Sequence, residues 1–134
     1  MLTALSIRDI VLIEKLDLSL ENGLTILTGE TGAGKSILLD SLGLALGARG
    51  DSALVRAGQA KGSVAASFSL PKDHAALALL AAHDVETDSE IIIRRIQTAE
   101  GSSRATINDQ PVSLGLLRQV AASLVELQIG RAHV

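Results

Sequence analysis

Eight residues constrain this chain more than any others: Gly29-Glu30-Thr31-Gly32-Ala33-Gly34-Lys35-Ser36. They fit the pattern G-x-x-x-x-G-K-[ST]. A strand-like run precedes them (Leu24 to Thr28) and a helix-like run follows (Ile37 to Leu46), which is the context that gives this pattern physical meaning. Glycines let a backbone curl with several N–H groups pointing inward, where a Cβ would obstruct. The helix that follows aims its unpaired N–H groups and positive dipole end at the same point. An anion with several oxygens fits such a cradle, so Gly29, Glu30, Thr31, Gly32, Ala33, Gly34, Lys35 and Ser36 read as nucleotide ligands. Lys35 would reach the β- and γ-phosphates and the Ser36 hydroxyl would take a position on Mg²⁺. The bland alternative is a glycine-rich turn that happens to precede Lys-Ser, and the flanking strand and helix argue against it. The glycine order G-x-x-G-x-G differs from the dinucleotide fingerprint G-x-G-x-x-G.

A chain of 134 residues with 47% hydrophobic and 20% charged residues can build one modest domain with a real core. Phe68 is its single aromatic residue, so that core must be made of Leu, Ile, Val and Ala, and almost no surface is available for stacking bases. A net charge of −3 gives no global electrostatic case for nucleic acid, although it leaves room for a local basic patch. Without cysteine there are no disulfides or thiolate metal sites, which fits a reducing compartment. Arg8 and Asp9 interrupt the N-terminus early, unlike a signal peptide. No apolar stretch approaches the ~18 residues of a membrane span. These features together predict a soluble, cytoplasmic α/β domain.

Along the chain, Leu2 to Ile10 and Ile13 to Leu20 alternate as a pair of strands, the second with Lys15, Asp17 and Ser19 on a wet face. Glu21-Asn22-Gly23 is a turn signal leading into Leu24 to Thr28, expected as a buried central strand. Ile37, Leu38, Leu39, Leu42, Leu44, Ala45 and Leu46 wrap most of a helix surface, predicting a buried helix that Gly47 and Gly50 stop. Asp40, inside that helix, reads as a polar contact rather than a magnesium ligand, since such a carboxylate normally follows another strand. Arg49, Arg56 and Lys61 lie in or beside an irregular connection over 51–61. That connection reads as a solvated loop or, more sharply, as one that turns Arg56 toward a phosphate of nucleotide or DNA.

Further on, Val64 to Leu70 reads as a strand and Lys72 to His83 as a helix with Pro71 near its first turn. His74 and His83 fall near the helix ends without metal-ligand spacing. Glu90 to Gln97 and Arg104 to Ile107 read as partner strands, and Asn108-Asp109 as a tight turn that tolerates positive φ. Pro111 confines the next piece to an edge. Ser113 is placed to cap a helix over Leu114 to Ser123, with Leu124 to Leu127 reading as the start of another strand.

Hydrolysis of a nucleotide needs an acid holding Mg²⁺ and a group that positions water. No run of four apolar residues ending in Asp occurs. Glu126 in Leu124-Val125-Glu126 is a candidate, but it lies within its apolar run, so no catalytic residue is assigned. The sequence carries half of an ATPase site.

The run Leu27 to Asp40, with Glu21-Asn22-Gly23-Leu24 before it, resembles the N-terminal segment of the RecN family. So do Leu46 to Arg49, Leu54 to Gly58 and Ser103 to Val112. These are bacterial ATPases of DNA double-strand-break repair, related to SMC proteins. The likeness extends to about Gln128. It implies a P-loop NTPase fold, specifically the N-terminal half of an ABC/SMC-type ATPase head with a mixed sheet and a buried helix after the P-loop. It also implies ATP and Mg²⁺ as ligands, DNA and the C-terminal half of the same head as partners, a head-to-head dimer, and a cytoplasmic, nucleoid-associated protein. The family's Walker B acid, signature motif and switch histidine have no counterpart here. A family sequence would continue after Gln128 with Gly-Gln-His, where this chain reads Ile129 to Val134. Residues 1–128 are therefore expected to form the lobe and 129–134 a non-native tail.

Two other readings stay open. A transporter-type ATP-binding subunit would normally place an aromatic before the P-loop for adenine, and none is there. A nucleotide-binding module without turnover is the other.

Overall fold

The computed structural model describes residues 1–20 and 33–133, with the side chains of 1–20 and 36–124. Strands β1 (Leu2–Ile10) and β2 (Ile13–Ser19) precede helix α1 (Ala33–Ala45) and a short 3₁₀ turn (Ser52–Leu54). Strand β3 (Lys61–Ser69), helix α2 (Ala75–Ala82), strands β4 (Glu90–Thr98), β5 (Ser103–Ile107) and β6 (Gln110–Val112), and helix α3 (Leu114–His133) follow. The strands form one sheet in the order β2-β1-β3-β4-β5-β6, and every pairing among the described strands is antiparallel. The expected turn at Glu21-Asn22-Gly23 and strand at Leu24 to Thr28 lie outside the described residues.

Strict alternation decides which face of the sheet is dry. Leu5 and Ile7 of β1 pair with Ala66 and Val64 of β3, and these with Ile93 and Arg95 of β4, all on the inner face. Helix α1 lies against that face, over β1, β3 and β4. Its Leu38, Leu42, Leu44 and Ala45 join one core cluster with Leu80 of α2 and Leu117, Val120 and Leu124 of α3. The outer face presents Ser6, Arg8, Ser63, Ala65, Ser67, Arg94 and Arg104, none of them buried.

Local chemistry sets the boundaries. Gly62 allows β3 to approach the end of β1: a Cβ there would stand 2.4 Å from the Asp9 carbonyl oxygen. The β5–β6 turn is made by Asn108 (φ 51°) and Asp109 (φ 66°), the double positive φ of a two-residue hairpin that twists with its strands. Pro111 sits on the edge strand, where its missing N–H costs nothing. The Leu116 N–H donates to Ser113 Oγ at 3.0 Å, the capping bond that starts α3.

Four expectations are corrected. The run Leu124 to Leu127 is helix, not strand, because Leu117, Val120 and Leu124 keep a helical period and extend the buried stripe of α3. Helix α2 begins at Ala75 rather than near Lys72. Pro71 to His74 form a turn closed by the His74 N–H donating to the Pro71 carbonyl at 3.0 Å, and His74 Nδ1 then accepts from the Ala76 N–H at 3.0 Å as the cap. Strand β3 starts at Lys61, three residues early, since Gly62 and Ser63 pair with β4 as readily as the apolar residues do. Helix α1 is covered on one side only: Leu39 is 40% exposed and Asp40 and Ser36 face outward.

Candidate phosphate-binding helix and its anchor

Of the eight P-loop residues, Gly29, Glu30, Thr31 and Gly32 lie outside the described residues. Ala33, Gly34, Lys35 and Ser36 form the first turn of α1, and Ser36 is exposed there. A helix start of this kind directs unpaired N–H groups and partial positive charge along the axis, favourable to an anion whatever its identity. Asp40 is exposed one turn further on, and no group of three or more His, Asp or Glu able to hold a metal occurs among the described residues. Glu126 lies within α3 and so does not end a strand.

The other end of α1 is built with more polar detail than the sequence suggested. Gly47 takes φ 107°, and its N–H donates to the Leu44 carbonyl at 3.2 Å. The Ala48 N–H donates to the Gly43 carbonyl at 3.0 Å. This pair of bonds is the Schellman ending that a glycine in the left-handed region makes possible. Arg95, fully buried on the inner face of β4, reaches the same turn. Its Nη1 donates to the Leu44 carbonyl at 2.9 Å and to the Ala48 carbonyl at 2.8 Å, and its Nε donates to Ser103 Oγ at 2.6 Å. From α3, Arg118 Nε donates to the Gly47 carbonyl at 2.9 Å. Two cations thus meet the negative end of the α1 dipole. Burial, with the Arg118 charge adding to it, pulls the Arg95 guanidinium below the usual arginine value.

Sequence reasoning did not single out Arg95. Its signal was the alternation itself, because Ile91, Ile93, Arg95 and Gln97 occupy one face of β4. Arg56, considered for a phosphate role, is tied to the first hairpin. Its N–H donates to the Asp9 carbonyl at 2.8 Å, and its guanidinium lies 3.6 Å from the Asp9 carboxylate and 4.0 Å from that of Glu14.

On the outer face of the sheet, the small residues Gly62, Ser63, Ala65 and Ser67 leave a shallow trough of about 490 Å³, bordered by Arg8, Lys61 and Arg94. Register places Lys15 opposite Arg8 and Arg104 opposite Ile96, on the same face. Counter-charges stand within this group: Asp17 is bonded to Arg8 at 2.9 and 3.1 Å, a contact that holds its carboxyl below the ordinary value, Asp109 lies 3.6 Å from Arg94, and Asp9 also lines the trough. The local basic patch that the overall charge had left open is therefore present.

Residues 4–124 match the family of AAA domains. The chain belongs to that family. It is also 42% identical to the DNA repair protein RecN of Halalkalibacterium halodurans over 134 residues, covering 99% of this chain and 24% of that protein. With the RecN protein of Haemophilus influenzae it shares 41% over 130 residues, covering 95% and 23%. The chain thus spans about a quarter of the length of the curated relatives it matches. Among solved structures, one from a study of ATP-driven dimerization and DNA-stimulated activation of SMC ATPases superposes with a TM-score of 0.70. It is 20% identical and covers 91% of this chain and 78% of that one, so the likeness is one of fold: a P-loop NTPase head of SMC type. The RecN resemblance read from the P-loop and its flanking segments stands, and so does the P-loop NTPase fold it implied; the described strands, for which a mixed sheet was expected, all pair antiparallel. Among the described residues no helix is long and apolar enough to cross a membrane.

Proposed function

We propose that this chain is the nucleotide-binding lobe of a RecN-like DNA repair ATPase. The observation that carries the reading is the placement of Lys35-Ser36 in the first turn of a long helix laid on an antiparallel sheet. ATP is the ligand, with Gly29 to Ser36 as its cradle, Lys35 on the β- and γ-phosphates and the Ser36 hydroxyl on Mg²⁺. The lobe binds without cleaving: the magnesium carboxylate and the water-positioning group belong to the C-terminal half of the same head, and turnover follows head-to-head dimerisation. Double-strand-break repair in the cytoplasm, at the nucleoid, is the setting this implies.

DNA is the second ligand in this reading. Arg8, Lys15, Lys61, Arg94 and Arg104 on one sheet face support it, because an acidic chain that gathers cations on one side can neutralise several backbone phosphates.

The test is a calorimetric titration of ATP–Mg²⁺ into the purified chain, with Lys35→Ala beside it and phosphate release followed in parallel. Binding that Lys35→Ala abolishes, without phosphate release, is the expected result. Turnover by the chain alone would overturn the half-site reading, and no binding by a folded chain would overturn nucleotide binding by the lobe.

A further inference from the structure

Arg95 is an expensive residue for its position. Taking a guanidinium out of water costs several kcal/mol unless its bonds are nearly ideal. Among the described residues no carboxylate lies within 4.0 Å of it to offset that cost. Its compensation is the end of α1: the Leu44 and Ala48 carbonyls, both taken by one nitrogen, with Ser103 Oγ steadying the other side of the fork. Arginine stays charged even here, since it cannot be deprotonated in proteins.

Among the described side chains, the rest of the core contact of α1 is made by apolar residues. Leu38, Leu42, Leu44 and Ala45 lie against the inner face, and such contacts are nearly indifferent to small slides and rotations. A guanidinium nitrogen bonded to two carbonyls of one turn, on a group whose Nε is held by Ser103, is not indifferent, because these directional bonds hold the helix both along and about its axis. The two glycines beside it tighten the fit. A Cβ on Gly50 would stand 2.1 Å from Gln97 Oε1, and one on Gly47 would stand 2.8 Å from Arg118 Cγ. The polar end of α1 is therefore the end that sets its position. The opposite end, about 20 Å away at 1.5 Å per residue, is the Ala33–Ser36 turn.

We propose that Arg95 is a positioning residue for phosphate binding. By holding the Leu44 and Ala48 carbonyls it fixes where α1 sits on the sheet, and hence where the N–H groups of the first turn point. Over a rod of this length a tilt of about 3° displaces the far end by about 1 Å, enough to spoil a hydrogen bond. Arg118, which reaches α1 from α3 through the Gly47 carbonyl, is the weaker second member of the anchor. This rests on the nucleotide-binding reading above, and the experiment separates the two.

The variants are Arg95→Met, Arg95→Lys and Arg118→Gln, the last at an exposed residue. Each is titrated with ATP–Mg²⁺ at a temperature where circular dichroism shows it folded, and each is compared with the unaltered chain by amide hydrogen exchange without nucleotide. Arg95→Met removes the buried charge in favour of an apolar chain of similar length but takes a donor from the Leu44 and Ala48 carbonyls and from Ser103 Oγ, so some loss of stability is expected and binding is read on the folded protein. The expected result is a Kd at least ten-fold weaker for Arg95→Met, an intermediate value for Arg95→Lys, and a two- to three-fold loss for Arg118→Gln. Faster exchange in α1 with β3 unchanged accompanies it. A purely structural role would lower the melting temperature and leave the Kd of the folded variants alone, and that result overturns the proposal. Should Arg95→Met not fold, Arg118→Gln decides by the same two readouts. If the unaltered chain binds no nucleotide, the nucleotide reading fails, and exchange in α1 still decides the anchor: unchanged protection in the variants would sink it.

Discussion

Gly62 and Gly43 offer a test in which one chemical change is expected to have opposite signs at two positions. At Gly62 the added Cβ of alanine meets the Asp9 carbonyl oxygen at 2.4 Å and Ile10 Cδ1 at 2.8 Å. The first contact is about 0.6 Å closer than Cβ atoms tolerate, and it is made to backbone, which cannot swing away. Relief requires β1 and β3 to part at the end where the Asp9 carbonyl also accepts the Arg56 N–H at 2.8 Å. Overpacking of this kind costs about 1–3 kcal/mol, and the strained hydrogen bond adds up to about 1 more. Reduced freedom of the unfolded chain returns about 0.4–1 kcal/mol. The net expectation for Gly62→Ala is a loss of about 2 kcal/mol, read as a melting temperature lower by about 6–10 °C for a chain of this size. Gly43 lies within α1 with nothing inside 4 Å of its would-be Cβ. Gly43→Ala therefore gains helix propensity alone, about 0.5–1 kcal/mol and a rise of about 2–4 °C. Thermal unfolding by circular dichroism of the two variants beside the parent decides it. Equal shifts of the same sign would refute the claim that the Asp9 contact makes Gly62 necessary.

Other positions carry smaller effects. Partial burial, aided by the N-terminal ammonium, holds the His74 imidazole below its ordinary 6.5 against the pull of Asp73. Because the folded-state value is the lower one, its contribution is complete above about pH 6.5 and is lost as pH falls through the interval beneath it. Protonation also removes the Nδ1 acceptor that caps α2. Melting temperature should fall over that range in the parent and fall less in His74→Asn, whose amide oxygen caps without titrating; parallel curves would remove His74 from the account. Ser113→Ala deletes the cap of α3 and should cost about 1 kcal/mol in chemical unfolding, while Ser113→Asp, another good cap, should cost little. Asp109→Gly relieves a non-glycine residue at φ 66° in the β5–β6 turn and loses only an exposed pair with Arg94, so a small gain in denaturation midpoint is expected.

The fold was legible wherever one period dominated. Alternation placed β1 and β2 to within a residue, and it exposed Lys15, Asp17 and Ser19 as expected. Turn chemistry placed Asn108-Asp109, Pro111 and Ser113 because each acts through its own backbone or one neighbour. Reading failed where a second interaction decided the outcome. The run Leu124 to Leu127 is short and apolar, a pattern that strand and helix share, and the stripe begun by Leu117 and Val120 settled it as helix. The start of α2 turned on His74 acting as a cap, a role ordinarily taken by Ser, Thr, Asp or Asn. At the candidate site, the motif announced the helix start, whereas its anchor depends on a contact between residues 95 and 44 that no local pattern contains.

That asymmetry follows from how the two ends of α1 are specified. The first turn needs only its own backbone and dipole to favour an anion, so eight consecutive residues can declare it. The last turn must end by giving its carbonyls partners, and those partners come from β4 and α3, 47 to 71 residues further along the chain. A helix that offers its N-terminus to an anion gains from positive charge at its C-terminus, because both complement the same dipole. Arg95 and Arg118 supply that charge from two elements that otherwise meet α1 through apolar packing. An apolar residue at 95 would continue the run of Ile91 and Ile93 into the core, and it would leave the orientation of α1 to contacts that do not specify one. On this reading Arg95, the residue of the inner sheet face that bonds the end of α1, fixes a direction, while the isoleucines beside it supply the adhesion.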